Sequence, residues 1–342
     1  MSERRRGPER RRLRLGAGAE FDLIRRFYAR GGGGAARYDV RVGPGDDCAV
    51  VAGDGIALST DISVEGVHFR RDWMGFRDVG RRAAAAALSD LAAVAARPIG
   101  VLASLAVPPG DEKAHAEQVM EGVRRAAESV GAALLGGDLA RTHGPLVVDV
   151  TVVGECPHPV LRSGARPGDE VWVTGELGAA AAYVEQRLQG RRPDGRARAR
   201  FAAPAPRVRE ALWLAGHGLP TAMIDLSDGL AGDAAHLSAA SGVAVLLSPE
   251  LIPVHPAARR HAGKGGDALR LALTGGEDYE LCFTAPIGAA EPHVDEFQQT
   301  FGVRLSCVGR VGGGDGVWWV DAEGNRRPLG LRGYRHFEEA EA

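Results

Sequence analysis

Apolar positions along this chain recur with a helical or a strand period, and the switches between the two mark out its elements. From residue 20, FDLIRRFYAR puts Phe21, Ile24, Phe27 and Tyr28 on one helical face, and the glycines at 31–34 stop it. Short apolar runs follow, CAVVA at 48–52 and IALST at 56–60, then a helical stretch over 79–95 and a second apolar run at 100–107. A helix over 112–130 leads to the pair Leu134 and Leu135, a Gly-Gly-Asp turn and a long strand at 146–153, completing one α/β unit. Pro and Gly breaks crowd 158–169 and place a boundary near 158. A strand at 171–174 opens a second unit with a helix at 179–188. GRRPDGRARAR, 190–200, reads as a polar basic loop. Helices near 207–216 and 230–241, with strands at 244–247, 279–284, 305–311 and 317–320, predict a layered α+β domain, and no repeat of solenoid period is visible.

Length supports this division. A chain of 342 residues exceeds one ordinary core, so the expected organisation is a basic, disordered extension at 1–18, an N-terminal domain at 19–157 and a C-terminal domain at 158–342. The net charge is -2, but residues 1–14 hold seven Arg and two Glu, which leaves 35 basic against 42 acidic residues elsewhere. An acidic body disfavours a nucleic-acid face and directs attention to carboxylates gathered around metal. Cys48, Cys156, Cys282 and Cys307 are far apart and form no CxxC pair, which excludes a zinc ribbon or a small disulfide framework and fits a reducing cytoplasm. The basic N-terminus has no apolar run behind it, and the Ala-rich stretch 83–96 is too short to span a bilayer and contains Asp90, so no membrane partner is expected.

Aspartates beside glycines and small polar residues stand at the ends of the apolar runs. They are Asp46 and Asp47 in GPGDDCAVV, Asp61 in LSTD, Asp90 in LSDLAA, Asp138 in LLGGDLAR, and Asp225 and Asp228 in MIDLSDGL. A carboxylate at a strand end, with Gly removing bulk beside it, can point into a cleft where Mg²⁺ and phosphate oxygens meet. Each alone also reads as a helix cap or turn residue. Their repetition favours a shared role. The usual nucleotide signatures are absent: GxxxxGK[ST] does not occur, AGKGGD around Lys264 has the wrong spacing, and the glycines at 31–34 and 312–314 lack a strand–GxGxxG–helix context. Neither HExxH nor GxSxG is present.

The ordered set GPGDDCAVV, STDISVEGVHF, ALSDLAAVAARP, GGDLAR, RSGARPGD, IDLSDGLAGD and LTGGEDYELCFT resembles the thiamine-monophosphate kinase family, within the superfamily that includes aminoimidazole ribonucleotide synthetase, from about residue 20 to 337. EGVHF and GGEDYEL set this family apart from the other branches. The resemblance implies a two-domain α/β (α+β) aminoimidazole ribonucleotide synthetase-like fold whose N-terminal sheets pair across a homodimer. It also implies ATP-dependent phosphorylation of thiamine monophosphate to thiamine diphosphate. Carried over by position, Asp47, Asp61, Asp90, Asp138 and Asp225 would be magnesium ligands, Ser59 and Thr60 would complete the metal shell, and Asp228 would hold a further ion; Asp46 stays open. Gly137, Asp138, Arg162 and Ser227 match positions that contact ATP, while His68, Glu277 and Tyr334 match positions that contact the thiamine phosphate. The family's ATP contact on the helix before Val130 has no matching motif. Val94 and Ala95 stand where the family has Met-Gly, and Leu139 where Thr commonly follows GGD.

The chemistry agrees with that pattern. A phosphate monoester acceptor is already anionic, so no strong base and no Ser, Cys or His nucleophile is required. The difficulty is bringing two polyanions together, which several Mg²⁺ ions on many aspartates would relieve. Glu277 and Tyr334 suit a cationic heteroaromatic ring, and Arg162, near Arg166, suits phosphate. Cys48, Tyr279, Trp318 and Trp319 read as core residues. The alternatives are another ATP-dependent enzyme of the superfamily, a metal-dependent phosphohydrolase on the same aspartates, which would need no thiamine phosphate, and a dimeric nucleotide sensor without catalysis.

Overall fold

A computed structural model describes residues 40–42 and 50–51, as backbone, and residues 55–110, 114–263, 267–321 and 323–331. The Arg-rich extension, the helix expected from residue 20, Asp46, Asp47, Cys48 and Tyr334 lie outside the described residues. A short antiparallel pair, β1 (Val40–Val42) and β2 (Val50–Val51), precedes a four-stranded sheet. The sheet comprises β3 (Ile56–Val64), β4 (Arg97–Val107), β5 (Ala133–Arg141) and β6 (Val147–Glu155), in the order β3-β6-β4-β5. Helix α1 (Phe76–Ala93) joins β3 to β4, and α2 (Ala114–Ser129) is the crossover that the parallel β4–β5 pair requires.

Strand alternation gives this sheet two unlike faces. Val148, Val150 and Val152 of β6 and Val101, Ala103 and Leu105 of β4 are buried in one core with Val79 and Leu88 of α1 and Val119 and Val123 of α2. On the other face Ile56, Leu58 and Ile62 of β3 remain 40%, 67% and 53% exposed. The turn expected at residues 136–138 is not there, because β5 runs straight through them with Gly137 opposite Ala103. A Cβ on Gly137 would meet the Ala103 carbonyl oxygen at 1.8 Å, so this glycine serves close backbone approach and not chain reversal.

The second sheet has seven strands. They are β7 (Glu170–Thr174), β8 (Ala222–Asp225), β9 (Ala244–Leu247), β10 (Leu281–Ala285), β11 (Leu305–Gly312), β12 (Val317–Val320) and β13 (Arg326–Pro328), in the order β13-β12-β9-β11-β7-β10-β8. Helices α3 (Ala179–Leu188), α4 (Gly195–Ala202), α5 (Val208–Gly216), α6 (Leu230–Ser241), α7 (Pro256–Ala262), α8 (Ala268–Thr274) and α9 (Val294–Phe301) complete it. Val173, Ile224 and Cys282 pack with α6 and α8 on one face, and Trp172, Met223 and Phe283 pack with α5 and α9 on the other. Burial on both faces explains why AMID and LCFTA are continuously buried runs and not alternating ones.

The basic loop expected at 190–200 is half helix. Asp194 caps α4 by accepting from the Arg196 amide at 2.7 Å, and Ala197 and Phe201, four apart, form a short buried stripe that the surrounding arginines hide in the sequence. Trp318 and Trp319 are only partly buried, with the Trp318 indole donating to the Asp315 carbonyl at 2.7 Å. No helix among the described residues is long and apolar enough to cross a membrane.

Helix α1 joins the two halves. Between residues 82 and 93 only Asp90 escapes full burial, because α1 packs against β3, β6 and α2 on one side and α5 and β8 on the other. Where it crosses α2, a Cβ on Gly80 would meet the Val119 carbonyl oxygen at 1.9 Å, and one on Gly122 the Arg77 oxygen at 2.1 Å.

Candidate active site

Alternation along β3 turns Ser59 and Asp61 toward α1 and Thr60 to the opposite face. Ser59 Oγ donates to Asp90 Oδ2 at 2.6 Å near the C-terminus of α1. The neighbouring Ser89 Oγ donates to Asp225 Oδ2 at 2.8 Å, at the end of β8. Adjacent residues of one helix therefore hold a carboxylate contact with each sheet.

Beyond β8 the chain is laced to the loop 275–279. Glu277 N donates to Ser227 O at 2.8 Å, Tyr279 N to Leu226 O at 2.9 Å, and Leu226 N to Glu280 O at 2.8 Å. Gly276, Glu277 and Tyr279 have φ of 63°, 64° and 50°, which delays the start of β10 from the expected residue 279 to Leu281. For Glu277 and Tyr279 this conformation costs about 1–3 kcal/mol each, offset by the contacts it creates. Arg82 Nη2 donates to Glu277 Oε2, and the Tyr279 hydroxyl donates to the same oxygen at 3.0 Å. Arg82 itself is buried, donates to Phe201 O at 2.9 Å and lies 4.0 Å over the Phe201 ring. The loop is anchored from behind. Asp278 accepts from the Gly178 amide at 2.8 Å, and the fully buried Glu280 takes Arg207, Arg200 and Thr174.

The carboxylates sense one another. Asp61 is pushed up to about 7, first by burial and then by Asp90 and Glu277, against the pull of Arg82. Asp225 is pushed up to about 6 by burial and by Asp90, with Ser89 and Arg162 opposing. Burial raises Asp90, against Ser59 and Arg162. Asp233, in the first turn of α6, is held well above the usual carboxylate range by burial, Asp225 and Asp228, and accepts the Asp228 amide at 3.1 Å. Arg82 and Arg162 are the cations that oppose these charges. Oxygen-only donors whose carboxylates outnumber the opposing arginines fit divalent cations. Among the described residues no three of these acids bring ligand atoms within 4.8 Å of one another.

The expected residues divide accordingly. Ser59, Asp61, Asp90, Asp225 and Glu277 come together, Ser227 joins them through its backbone carbonyl and Asp228 through the shared neighbour Asp233, and the charge of Arg162 reaches Asp90 and Asp225. His68 follows β3, its Nδ1 accepting from the Val64 amide at 3.1 Å. Thr60 and Asp138 are not brought to the cluster of their own chain. Thr60 Oγ1 donates to Asp149 Oδ1 at 3.1 Å on the outer face, and Asp138 shares that face in the row Ile62, Asp149, Ser104, Asp138. Three strand spacings, roughly 14 Å, separate β5, with Gly137 and Asp138, from β3. Asp47 and Tyr334 lie outside the described residues.

Sequence reasoning passed over Arg82, Ser89, Asp233 and Tyr279. Arg82, Ser89 and Asp90 lie seven and eight apart, and the last two interrupt an apolar run that extends from Ala83 to Ala93, a helical-face signal in its own right. Tyr279, expected in the core, does bury its ring but turns its hydroxyl to the site.

The family described as AIR synthase related protein, N-terminal domain, matches residues 45–156. The chain is 36% identical over 332 residues to the thiamine-monophosphate kinase of Salmonella typhimurium, covering 93% of this chain and 98% of that relative. Among solved structures it is similar to thiamine-monophosphate kinase from Stenotrophomonas maltophilia, with TM-score 0.78 and 34% identity over 88% of this chain and 96% of that one. AaThiL complexed with AMPPCP and TMP is similar at TM-score 0.73 and 31% identity, covering 82% and 87%.

Proposed function

This chain belongs to the thiamine-monophosphate kinase family, and we propose that it transfers a phosphoryl group from ATP to thiamine monophosphate over the carboxylate cluster between its two sheets. The observation that carries this location is the convergence of Asp61, Asp90 and Asp225 from β3, α1 and β8, with all three carboxyl groups raised by burial and those of Asp61 and Asp225 raised further by Asp90. Ser59, Asp61, Asp90, Asp225 and Asp228 would hold Mg²⁺, with Asp233 beside them. Mg²⁺ bound there would offset the phosphate charge and align the donor with the acceptor.

The chain's own residues supply the rest. Arg162 brings positive charge to the same cluster and suits the ATP phosphates. The acceptor phosphate is anionic at neutral pH, so no side chain has to remove a proton from it. Arg82 and Tyr279 both engage Oε2 of Glu277, and Oε1 makes no hydrogen bond among the described residues. That oxygen would face the cationic ring of the substrate, with His68 on the substrate side.

A second copy would pack on the outer face of the first sheet, a reading supported by the exposed Ile56, Leu58 and Ile62. Thr60 and Asp138 then belong to that interface. Cys156, Cys282 and Cys307 are unpaired thiols, which supports a cytoplasmic setting.

The test incubates purified protein with ATP, MgCl₂ and thiamine monophosphate and separates thiamine diphosphate by chromatography, with EDTA and no-protein controls. Metal-dependent product is expected, with only background phosphate release when the acceptor is omitted. Phosphate release that ignores the acceptor would identify a hydrolase instead. Asp61→Asn should lower kcat by about 10²-fold or more while leaving the fold intact; near-normal turnover would remove Asp61 from the site.

A further inference from the structure

We infer that the second half of the chain carries a separate site for a divalent transition metal of the Zn²⁺ class, built from His217, His293 and Glu296. A ring nitrogen from each histidine and a carboxylate oxygen of Glu296 all lie within 4.8 Å of one another, the one such trio among the described residues. His217 is the C-terminal cap of α5, while His293 caps α9 and Glu296 sits in its first turn. The spacing of three puts the last two on one helical face. Two imidazoles and a carboxylate form a donor set suited to zinc, with a fourth position open to water. It differs in kind from the oxygen-only aspartate cluster.

A second observation fixes the chemistry of one ligand. His217 Nδ1 lies 2.8 Å from the Trp213 carbonyl oxygen. A carbonyl can only accept, so Nδ1 is the donor, and in the neutral imidazole Nε2 is then the nitrogen left with a lone pair. Metal-binding imidazoles are characteristically held in this way. The Trp213 ring packs against both imidazoles, its centroid 3.9 Å from that of His217 and 5.8 Å from that of His293, which it meets edge-on, and the two imidazole centroids are 5.1 Å apart. Tetrahedral bonds to zinc require ligand atoms roughly 3.3 Å apart, a closure within reach of side-chain rotation. The carbonyls at the end of α5 add a negative field to the site. A bound ion would tie the end of α5 to the start of α9, over the core that contains Met223 and Phe283.

The test uses the full chain, stripped by chelator and kept in millimolar Mg²⁺ so that the aspartates are occupied. Zn²⁺ is titrated against a chromophoric chelator, and Co²⁺ absorption reports the coordination. One Zn²⁺ per chain at micromolar or tighter affinity is expected, with the visible bands of four-coordinate Co²⁺. H217A/H293A and E296Q should each weaken binding at least tenfold, with circular dichroism unchanged and Mg²⁺-dependent thiamine diphosphate formation intact. Stoichiometric binding that survives in both variants, or no binding to the wild type below millimolar Zn²⁺, would overturn the assignment.

Discussion

Replacing Asp225 by Asn should stabilise the metal-depleted protein while abolishing transfer. Asp225 is only 4% exposed, and its carboxyl group is pushed from 3.8 up to about 6, by burial first and then by Asp90. A raised value means that the folded state holds the proton more tightly than the unfolded chain. Stability therefore falls as pH rises from about 4 to about 6, and above that range the full penalty of the buried charge is present. At about 1.36 kcal/mol for each pH unit between 3.8 and about 6, that penalty is about 3 kcal/mol. Asn removes that charge and keeps an oxygen able to accept from Ser89. The assay is urea unfolding in EDTA, followed by circular dichroism at pH 7.5 and at pH 4. Asp225→Asn should gain up to about 3 kcal/mol at pH 7.5 and essentially nothing at pH 4. In saturating Mg²⁺ the advantage should shrink, because the wild type gains more from the ion. An equal or lower midpoint at pH 7.5, or the same gain at both pH values, would refute the reasoning.

Three further outcomes can be checked. Glu277→Gln should raise KM for thiamine monophosphate more than KM for ATP, and should destabilise the protein by up to about 3–5 kcal/mol because the buried Arg82 loses its half-buried anionic partner; the double variant with Arg82→Met should recover most of that loss in urea unfolding. Gly276→Ala places a Cβ 2.4 Å from the Ser227 carbonyl oxygen at φ 63°, so a loss of about 1–3 kcal/mol or more is expected by thermal unfolding. Ile62→Glu charges the exposed apolar face of β3 and should shift sedimentation from dimer to monomer, whereas an unchanged sedimentation coefficient would remove the second copy from that face.

What could be read from the sequence was whatever depended on local pattern. Helix α6 and strands β9 and β12 fall where periodicity puts them, because their burial follows the local sequence. The failures have a common physical origin in long-range contact. Gly136 and Gly137 look like a turn until β4 is set beside them, and α4 looks like a loop until Phe201 finds Arg82 and Tyr183. The site shows the same division. Its aspartates stood out as residue types, but alternation on β3 and the register across four strands decide which face each occupies, and so separate Asp61 from Thr60 and Asp138. Arg82 stands beside the exposed Arg81 at the head of the alanine run, and only the fold distinguishes the two, by giving Arg82 a partner 195 residues away.

The alanines of α1 work as a gauge block. Ala83 to Ala87 are each 5% exposed or less, wedged between the sheet that carries Asp61 and the one that carries Asp225. Their small volume fixes how far apart those sheets stand, and thereby the span that a pair of phosphates would have to bridge. A methyl group added to this helix would widen the span without touching a carboxylate. Inactivating changes should therefore gather on residues that have no chemistry of their own, and a catalogue of natural variants sorted by functional groups alone would miss them.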